Sequence, residues 1–218
     1  MKARRVIKST NFIRPSKMSE RLTGTRSLVA HTIRCAALTL VLNGCDTQRQ
    51  WQLHDITGHL PDLRFSLMSD ANQPVTNQTY RGYLVLLFFG YTSCPAECPA
   101  TMYRLEKILQ HLGNSANRAR ILFVTLDPGR DTPEVLHRYV TAFDAEHAIG
   151  LTGSEDEIED LVKRYRAAYR PGETGSDDIA HSAAVYVFDP QGRARLLVTP
   201  DDTIEPVAND LRHLLESS

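Results

Sequence analysis

An α/β fold with a largely parallel centre is predicted by three features of this 218-residue sequence. Leu84–Phe89 and Ile121–Leu126 are continuously apolar, as central strands covered on both faces must be. Between them Met102, Leu105, Ile108, Leu109 and Leu112 fall on one stripe at helical spacing. A strand, a helix and a second buried strand in succession require a crossover, and therefore a parallel pair. The composition suits such a core: 42% hydrophobic residues and a net charge of −1 exclude a disordered chain, and 12 Gly with 11 Pro exclude a fibrous one. Length predicts one domain or at most two.

The elements follow in order. Leu63–Met68 alternates apolar and polar and leads into Ser69–Pro74, rich in turn residues, which predicts an N-terminal β-hairpin. After the strand Leu84–Phe89, Pro99 is expected to open a helix running to about His111. Beyond Ile121–Leu126, Asp131-Thr132-Pro133-Glu134 reads as a helix start, with Pro at the first helical position and Val135–Phe143 following. Ser154-Glu155-Asp156-Glu157 is a capping box before Ile158, Leu161, Val162, Tyr165 and Tyr169. Arg170–Ala180 is a polar loop. Ala184–Phe188 and Arg195–Val198 flank the turn Asp189-Pro190-Gln191-Gly192 and form a hairpin, and Thr203 caps a last helix carrying Val207, Leu211 and Leu214. This is the order of a thioredoxin-like sandwich, a central mixed sheet flanked by helices, with a hairpin added at the N-terminus.

Charge divides the chain unevenly. Residues 1–45 carry a net +8 and the remainder a net −9. An acidic body repels phosphate backbones, so the folded part is not expected to bind nucleic acid. The basic head precedes the apolar run Cys35–Leu42 and then Asn43-Gly44-Cys45, the layout of an export signal. That run is too short to span a bilayer, which takes about 20 residues. Leu42-Asn43-Gly44-Cys45 resembles a bacterial lipobox, with Asn43 a departure from its usual pattern, and Cys45 would then carry the lipid. A plain secretory signal or an uncleaved anchor is the alternative, and each would export the domain. Translation from Met18 would still supply a complete signal. The expected organisation is a signal over 1–45, a polar tether over 46–61 and one domain over 62–218.

Four cysteines are present. If Cys35 leaves with the signal and Cys45 is lipidated, Cys94 and Cys98 remain, and a domain of this size needs no disulfide staple. Both lie in Gly90-Tyr91-Thr92-Ser93-Cys94-Pro95-Ala96-Glu97-Cys98-Pro99, between the central strand and the first helix, where open α/β sheets place ligands. With Cys98 in the first helical turn, Cys94 can reach the same point from the loop, and the helix amides favour thiolates. Such a pair can exchange disulfides, ligate a soft metal or form a structural bridge. Structural zinc and iron–sulfur clusters usually take four protein ligands, whereas copper tolerates fewer. Of the eight histidines, His111, His137 and His213 fall in expected helices and His54 and His59 in or near the tether. His181 differs, because it ends the polar loop just before the strand that should approach the cysteines.

Cys94-Pro95-Ala96-Glu97-Cys98-Pro99, Thr125-Leu126-Asp127-Pro128-Gly129-Arg130-Asp131-Thr132-Pro133 and His181-Ser182 before Val185–Gly192 resemble the SCO/SenC family of copper-binding thioredoxin-like proteins. The resemblance covers roughly residues 60–216. It implies copper, as Cu(I) or Cu(II), held by Cys94, Cys98 and His181. It also implies a role in assembling the dinuclear copper site of cytochrome c oxidase subunit II, on the bacterial periplasmic or mitochondrial intermembrane side. Asp127, Asp131 and Tyr91 are expected near the site, where turn formation, helix capping and packing explain them as well as tuning of the metal does. Thioredoxin-like oxidoreductases generally place a cis-proline before the strand facing their cysteines; here that region carries Ala180-His181-Ser182, and no proline lies between Pro171 and Pro190.

Two enzymatic alternatives stay open on sequence alone. Cys94 and Cys98 could be the redox pair of a thiol-disulfide reductase that keeps a partner's copper-ligand cysteines reduced. A peroxidase fits less well, since Thr92 stands two residues before Cys94 rather than three.

Overall fold

The computed structural model describes residues 50–170 and 180–217, of which 169, 170, 180 and 181 by backbone alone. The chain runs β1 (His54–Asp55), β2 (Ser66–Ser69), β3 (Pro74–Thr76), β4 (Leu84–Gly90), α1 (Glu97–Leu112), β5 (Ala119–Thr125) and α2 (Pro133–Thr141). It continues through β6 (Ala148–Thr152), α3 (Glu155–Tyr165), β7 (Tyr169–Arg170), β8 (Ala180–His181), β9 (Val185–Phe188), β10 (Ala194–Val198) and α4 (Ile204–Glu216). Eight strands make one sheet in the order β1-β10-β9-β4-β5-β6-β2-β3, and β7 pairs with β8 in a separate ribbon. β4, β5 and β6 are parallel and every other pair is antiparallel. This is the expected thioredoxin-like mixed sheet with four flanking helices, and the N-terminal hairpin β2–β3 joins it beside β6.

Every residue of β4 is buried, which explains its uninterrupted apolar run: each face of a middle strand meets other elements rather than water. Helix α1 buries Met102, Leu105, Ile108, Leu109 and Leu112, and α4 packs beside it through Val207, Leu211 and Leu214. The Ser154–Glu157 capping box forms as expected, and Thr132 caps α2 by accepting from the Val135 amide at 3.4 Å.

The structure departs from the sequence reading in five places. Residues 50–61 do not all serve as a tether. β1 pairs with β10, Leu53 is buried, and the Gln52 and Leu53 amides donate to Asp210 Oδ2 at 2.8 and 3.0 Å. β6, absent from the expected order, lies between α2 and α3. Helix α1 begins at Glu97, so Pro99 stands inside its first turn rather than opening it. Tyr169 is not on the stripe of α3, which stops at Tyr165 with Arg166 left-handed at φ 53°. In addition, Thr203 occupies the cap position of α4 without a side-chain bond.

The expected signal lies outside the described residues. Among the described residues no helix is long and apolar enough to cross a membrane.

Register fixes which loops meet. Gly90 at the end of β4 faces Thr125 at the end of β5, and Val185 at the start of antiparallel β9 faces Phe88. The chain leaving β4, the chain leaving β5 and the chain entering β9 therefore emerge at one edge of the sheet. These segments carry Cys94, Asp131 and His181 respectively.

Candidate metal centre

Tyr91–Cys94 is a tight turn closed by the Cys94 amide on the Tyr91 carbonyl at 3.2 Å. Its position is set by Asp131, a carboxylate only 1% exposed. Asp131 Oδ2 accepts from the Thr92 amide at 3.0 Å and from the Thr125 hydroxyl at 2.6 Å, and Oδ1 accepts from the Thr92 hydroxyl at 2.5 Å. Three donors on one buried carboxylate offset its desolvation and tie the cysteine loop to the end of β5. The Leu126 amide adds a 2.7 Å bond to the Gly90 carbonyl.

Cys94 and Cys98 are both reduced thiols. Cys98 is 0% exposed and Cys94 8%. The Cys98 amide, in the first turn of α1, donates to Cys94 Sγ at 3.4 Å, so the helix start does direct an N–H at one sulfur as the sequence suggested. The other sulfur behaves differently. Burial pushes the Cys98 thiol well above the ordinary cysteine range, Cys94 and Asp131 push the same way, and the Tyr91 backbone only partly opposes them. Burial therefore works against the thiolate that the helix amides favour at Cys98.

Space for the Cys98 sulfur comes from Gly90. A Cβ at that position would stand 2.7 Å from Cys98 Sγ and 2.8 Å from Cε2 of Phe123. Sulfur, ring and backbone approach one another because the last residue of β4 lacks a side chain.

Of the other residues singled out in the sequence, Tyr91 is buried in the core and Asp127 pairs with Arg130, its amide bonded to Thr125 Oγ1 at 2.9 Å. Asp131 is not the cap of α2; that is Thr132. His181 enters the backbone of β8 opposite Tyr169, and the Ser182 amide bonds the Ala168 carbonyl at 3.0 Å. Its side chain lies outside the described residues. Among those that are described, no three His, Cys, Asp or Glu side chains gather as a metal cluster. Gly90 and Thr125 stood in the segments quoted from the sequence without an assigned role, and Tyr139 was not anticipated near them. Their signals were faint: a glycine ending an apolar strand, a threonine at the next strand's end, and an aromatic pair, Tyr139 on α2 and Phe143 just past its end.

Comparison with known proteins places this arrangement. An SCO2-like protein of Rickettsia prowazekii is 35% identical over 133 residues, 59% of this chain and 64% of that protein, so the match spans less than two thirds of the relative. The structure of Bradyrhizobium japonicum ScoI with copper bound aligns at a TM-score of 0.63 and 32% identity, covering 71% of this chain and 99% of that one. BsSco, a member of the Sco family of cytochrome c oxidase assembly proteins in which a disulfide switch was identified, shares the fold at a TM-score of 0.64 and 18% identity, covering 78% of this chain and 100% of that one. The sequence model of SCO1/SenC matches residues 57–216, and the chain belongs to that family.

Proposed function

We propose that the protein binds copper as cargo through Cys94, Cys98 and His181 and delivers it to the dinuclear copper site of cytochrome c oxidase subunit II. Sco family proteins act in cytochrome c oxidase assembly, and a homologous structure holds copper. The single observation that carries the reading is the pair of reduced thiols at the start of α1, with the segment bearing His181 leaving the same sheet edge. Thiolates and imidazole form a soft donor set suited to copper. Binding releases the thiol protons, which is how Cys98 becomes a ligand despite its raised pKa. The loop clamped by Asp131 holds Cys94 in place, while Pro95, Ala96 and Glu97 beside it are exposed to an incoming partner. A partner thiolate can approach from that side and take the ion by ligand exchange. A Cys94–Cys98 disulfide would remove both sulfur ligands and close the site to copper.

The reductase reading has one observation in its favour, the reduced pair itself, with the less buried Cys94 as the attacking sulfur. Burial holds Cys98 protonated, as it would also hold the buried second sulfur of an exchange pair, so this feature favours neither reading. The peroxidase reading loses support because Thr92 Oγ1 donates to Asp131.

Export to the periplasmic face of the bacterial inner membrane, with a lipid on Cys45, is part of the same proposal and rests on the sequence before residue 46. Mass spectrometry of membrane-extracted protein tests it, expecting cleavage before an acylated Cys45; a Cys45 with no lipid would overturn the anchor.

Anaerobic Cu(I) titration of the reduced protein tests the function. Wild type should bind one equivalent, Cys94→Ser and Cys98→Ser should abolish tight binding, and His181→Ala should weaken it sharply while leaving disulfide exchange with a small thiol intact. Undiminished binding by all three variants would overturn the site. Loss of exchange together with unchanged copper affinity would favour the reductase.

A further inference from the structure

The edge of the sheet opposite the cysteines is basic. The β9–β10 turn lies there, because Phe188 pairs with Val85 near the start of β4 and with Ala194 at the start of β10. Contacts to that turn gather arginines from separate segments, and Arg193 belongs to the turn itself. Arg81 bonds the Gln191 carbonyl, and the Gly82 amide donates to the Pro190 carbonyl at 2.9 Å. The Leu63 amide donates to the Gly192 carbonyl at 2.7 Å, which brings Arg64 alongside, and the Arg64 amide donates to Tyr165 Oη at 2.9 Å at the end of α3. Arg164 and Arg166 flank that tyrosine, and Arg64 and Arg164 line one open hollow.

Folding accounts for only part of this set. Arg164 complements the negative end of α3, but Arg64, Arg81 and Arg193 stand on no helix. Arg193 shares the buried Asp189 with Arg195, whereas Arg64, Arg164 and Arg166 form no ion pair among the described residues. The exposed acids beside them are Asp62, Asp160 and Glu157, the last held by the Ser154 cap. Exposed arginines thus outnumber exposed carboxylates at one edge of a body whose net charge is −9. The cysteine edge has the other sign, with Glu97, Glu134 and Asp201 exposed there. A charge distribution so divided turns in the field of a charged surface. The chain outside the described residues joins the domain on the basic side. Trp51 lies 5.7 Å from the Arg195 guanidinium, which bonds Asp189 of the same turn at 3.0 Å.

We propose that the edge bearing Arg64, Arg81, Arg164, Arg166 and Arg193 is a docking surface for an anionic bilayer. Its guanidinium groups meet lipid phosphates, for which their planar forks are suited, and the acidic cysteine edge is turned away from the lipid. The inference rests on the export proposed above and is independent of copper. Its test reads the folded domain against lipid and does not depend on whether Cys45 is acylated.

Hydrogen exchange of the full chain, reconstituted into vesicles, tests the proposal. One set of vesicles is phosphatidylcholine and the other an equal mixture of phosphatidylcholine and phosphatidylglycerol. On the mixed vesicles, exchange over residues 61–66, 81–83 and 190–194 should slow several-fold relative to the neutral ones, while residues 91–100 stay unchanged. About 1 M salt, which screens charges beyond about 3 Å, should erase the difference. Each arginine at an anionic surface is worth about five-fold in binding, so Arg64→Gln with Arg164→Gln should weaken docking about twenty-five-fold and remove the protection. Lys107→Gln with Arg138→Gln removes the same charge from α1 and α2 and should leave it intact. Exchange of the β4 and β5 amides, equal in all forms, confirms that the variants are folded. Equal exchange on the two vesicle types would overturn the proposal and leave the patch to an acidic protein surface. Protection centred on residues 91–100, or protection that survives loss of Arg64 and Arg164, would overturn it as well. An unexported or unacylated protein that still shows the protection would bring down the export reading and not the docking surface.

Discussion

Adding one methyl group at Gly90 perturbs the site at its tightest point. The new carbon would stand 2.7 Å from Cys98 Sγ, 2.8 Å from Phe123 Cε2 and 3.1 Å from Phe123 Cζ. Ordinary nonbonded contacts lie at about 3.5–4.0 Å, so sulfur and ring must each retreat by close to 1 Å. Neither has open space to enter, since Cys98 and Phe123 are both 0% exposed. Overpacking of this kind costs roughly 1–3 kcal/mol. For a domain of this length that lowers the thermal midpoint by about 3–9 °C. Because the displaced atom is a proposed ligand, Cu(I) affinity should drop at least ten-fold as well, beyond what lost stability alone explains. Differential scanning calorimetry of the metal-free protein and Cu(I) competition measure the two effects. Gly129→Ala is the control: a Cβ there meets nothing within 4 Å, and the change should stay within about 0.5 kcal/mol. Wild-type midpoint and wild-type affinity in Gly90→Ala would refute the argument that this glycine exists to seat the sulfur.

Two further outcomes are expected. Asp131→Asn replaces one acceptor oxygen by an NH2 that must face the Thr92 amide or a threonine hydroxyl, and should cost about 2 kcal/mol while loosening the cysteine turn, read by chemical denaturation and by faster exchange of the Thr92 and Cys94 amides; unchanged exchange would contradict its role as the clamp. Stability should also decline at alkaline pH. Burial pushes Tyr80 and Tyr165 from their ordinary value of 10 up to about 12. A raised pKa means that the fold favours the neutral phenol, so this stabilisation is complete below pH 10 and disappears as pH climbs towards 12, amounting to roughly 2–3 kcal/mol for each residue. Urea midpoints measured across that window, with Tyr165→Phe showing a shallower decline, check the assignment; a flat profile would count against it.

Periodicity made most of the scaffold legible before any coordinates. The apolar run of β4, the stripe of α1, the capping box of α3 and the turn-linked β9–β10 hairpin are all local patterns, and each formed where local physics placed it. What escaped depends on distant partners. β1 is two residues long and pairs with β10, and the residue just before it, Leu53, is held by Asp210 from 157 residues away. β6 contains Gly150, which reads as a break, yet the glycine is required because a Cβ would lie 2.8 Å from Leu136 Cβ on α2. Helix α3 ends on a left-handed arginine, with no glycine to announce it. At the site, the spacing of Cys94 and Cys98 was legible because it is local. The Asp131 clamp was weighed as a turn or a cap, since nothing in the sequence shows Thr92 and Thr125 arriving at the same carboxylate. The burial of Cys98 escaped for a related reason: a helix start is visible in sequence, but the depth at which its sulfur sits is not.

If Cys45 carries a lipid as proposed, the docking of Trp51–Asp55 against β10 and Asp210 shortens the leash between the domain and the bilayer. Were the chain free to residue 61, a lipid on Cys45 could let the domain wander more than about 50 Å from the surface. With Trp51 already packed against the domain, its ring 5.4 Å from that of His213, only five residues, 46–50, separate the proposed lipid from folded structure. Fully stretched, they reach about 20 Å. A domain so tethered would explore few orientations, and the proposed delivery would then reach only recipients whose copper ligands stand within a domain's height of the lipid headgroups.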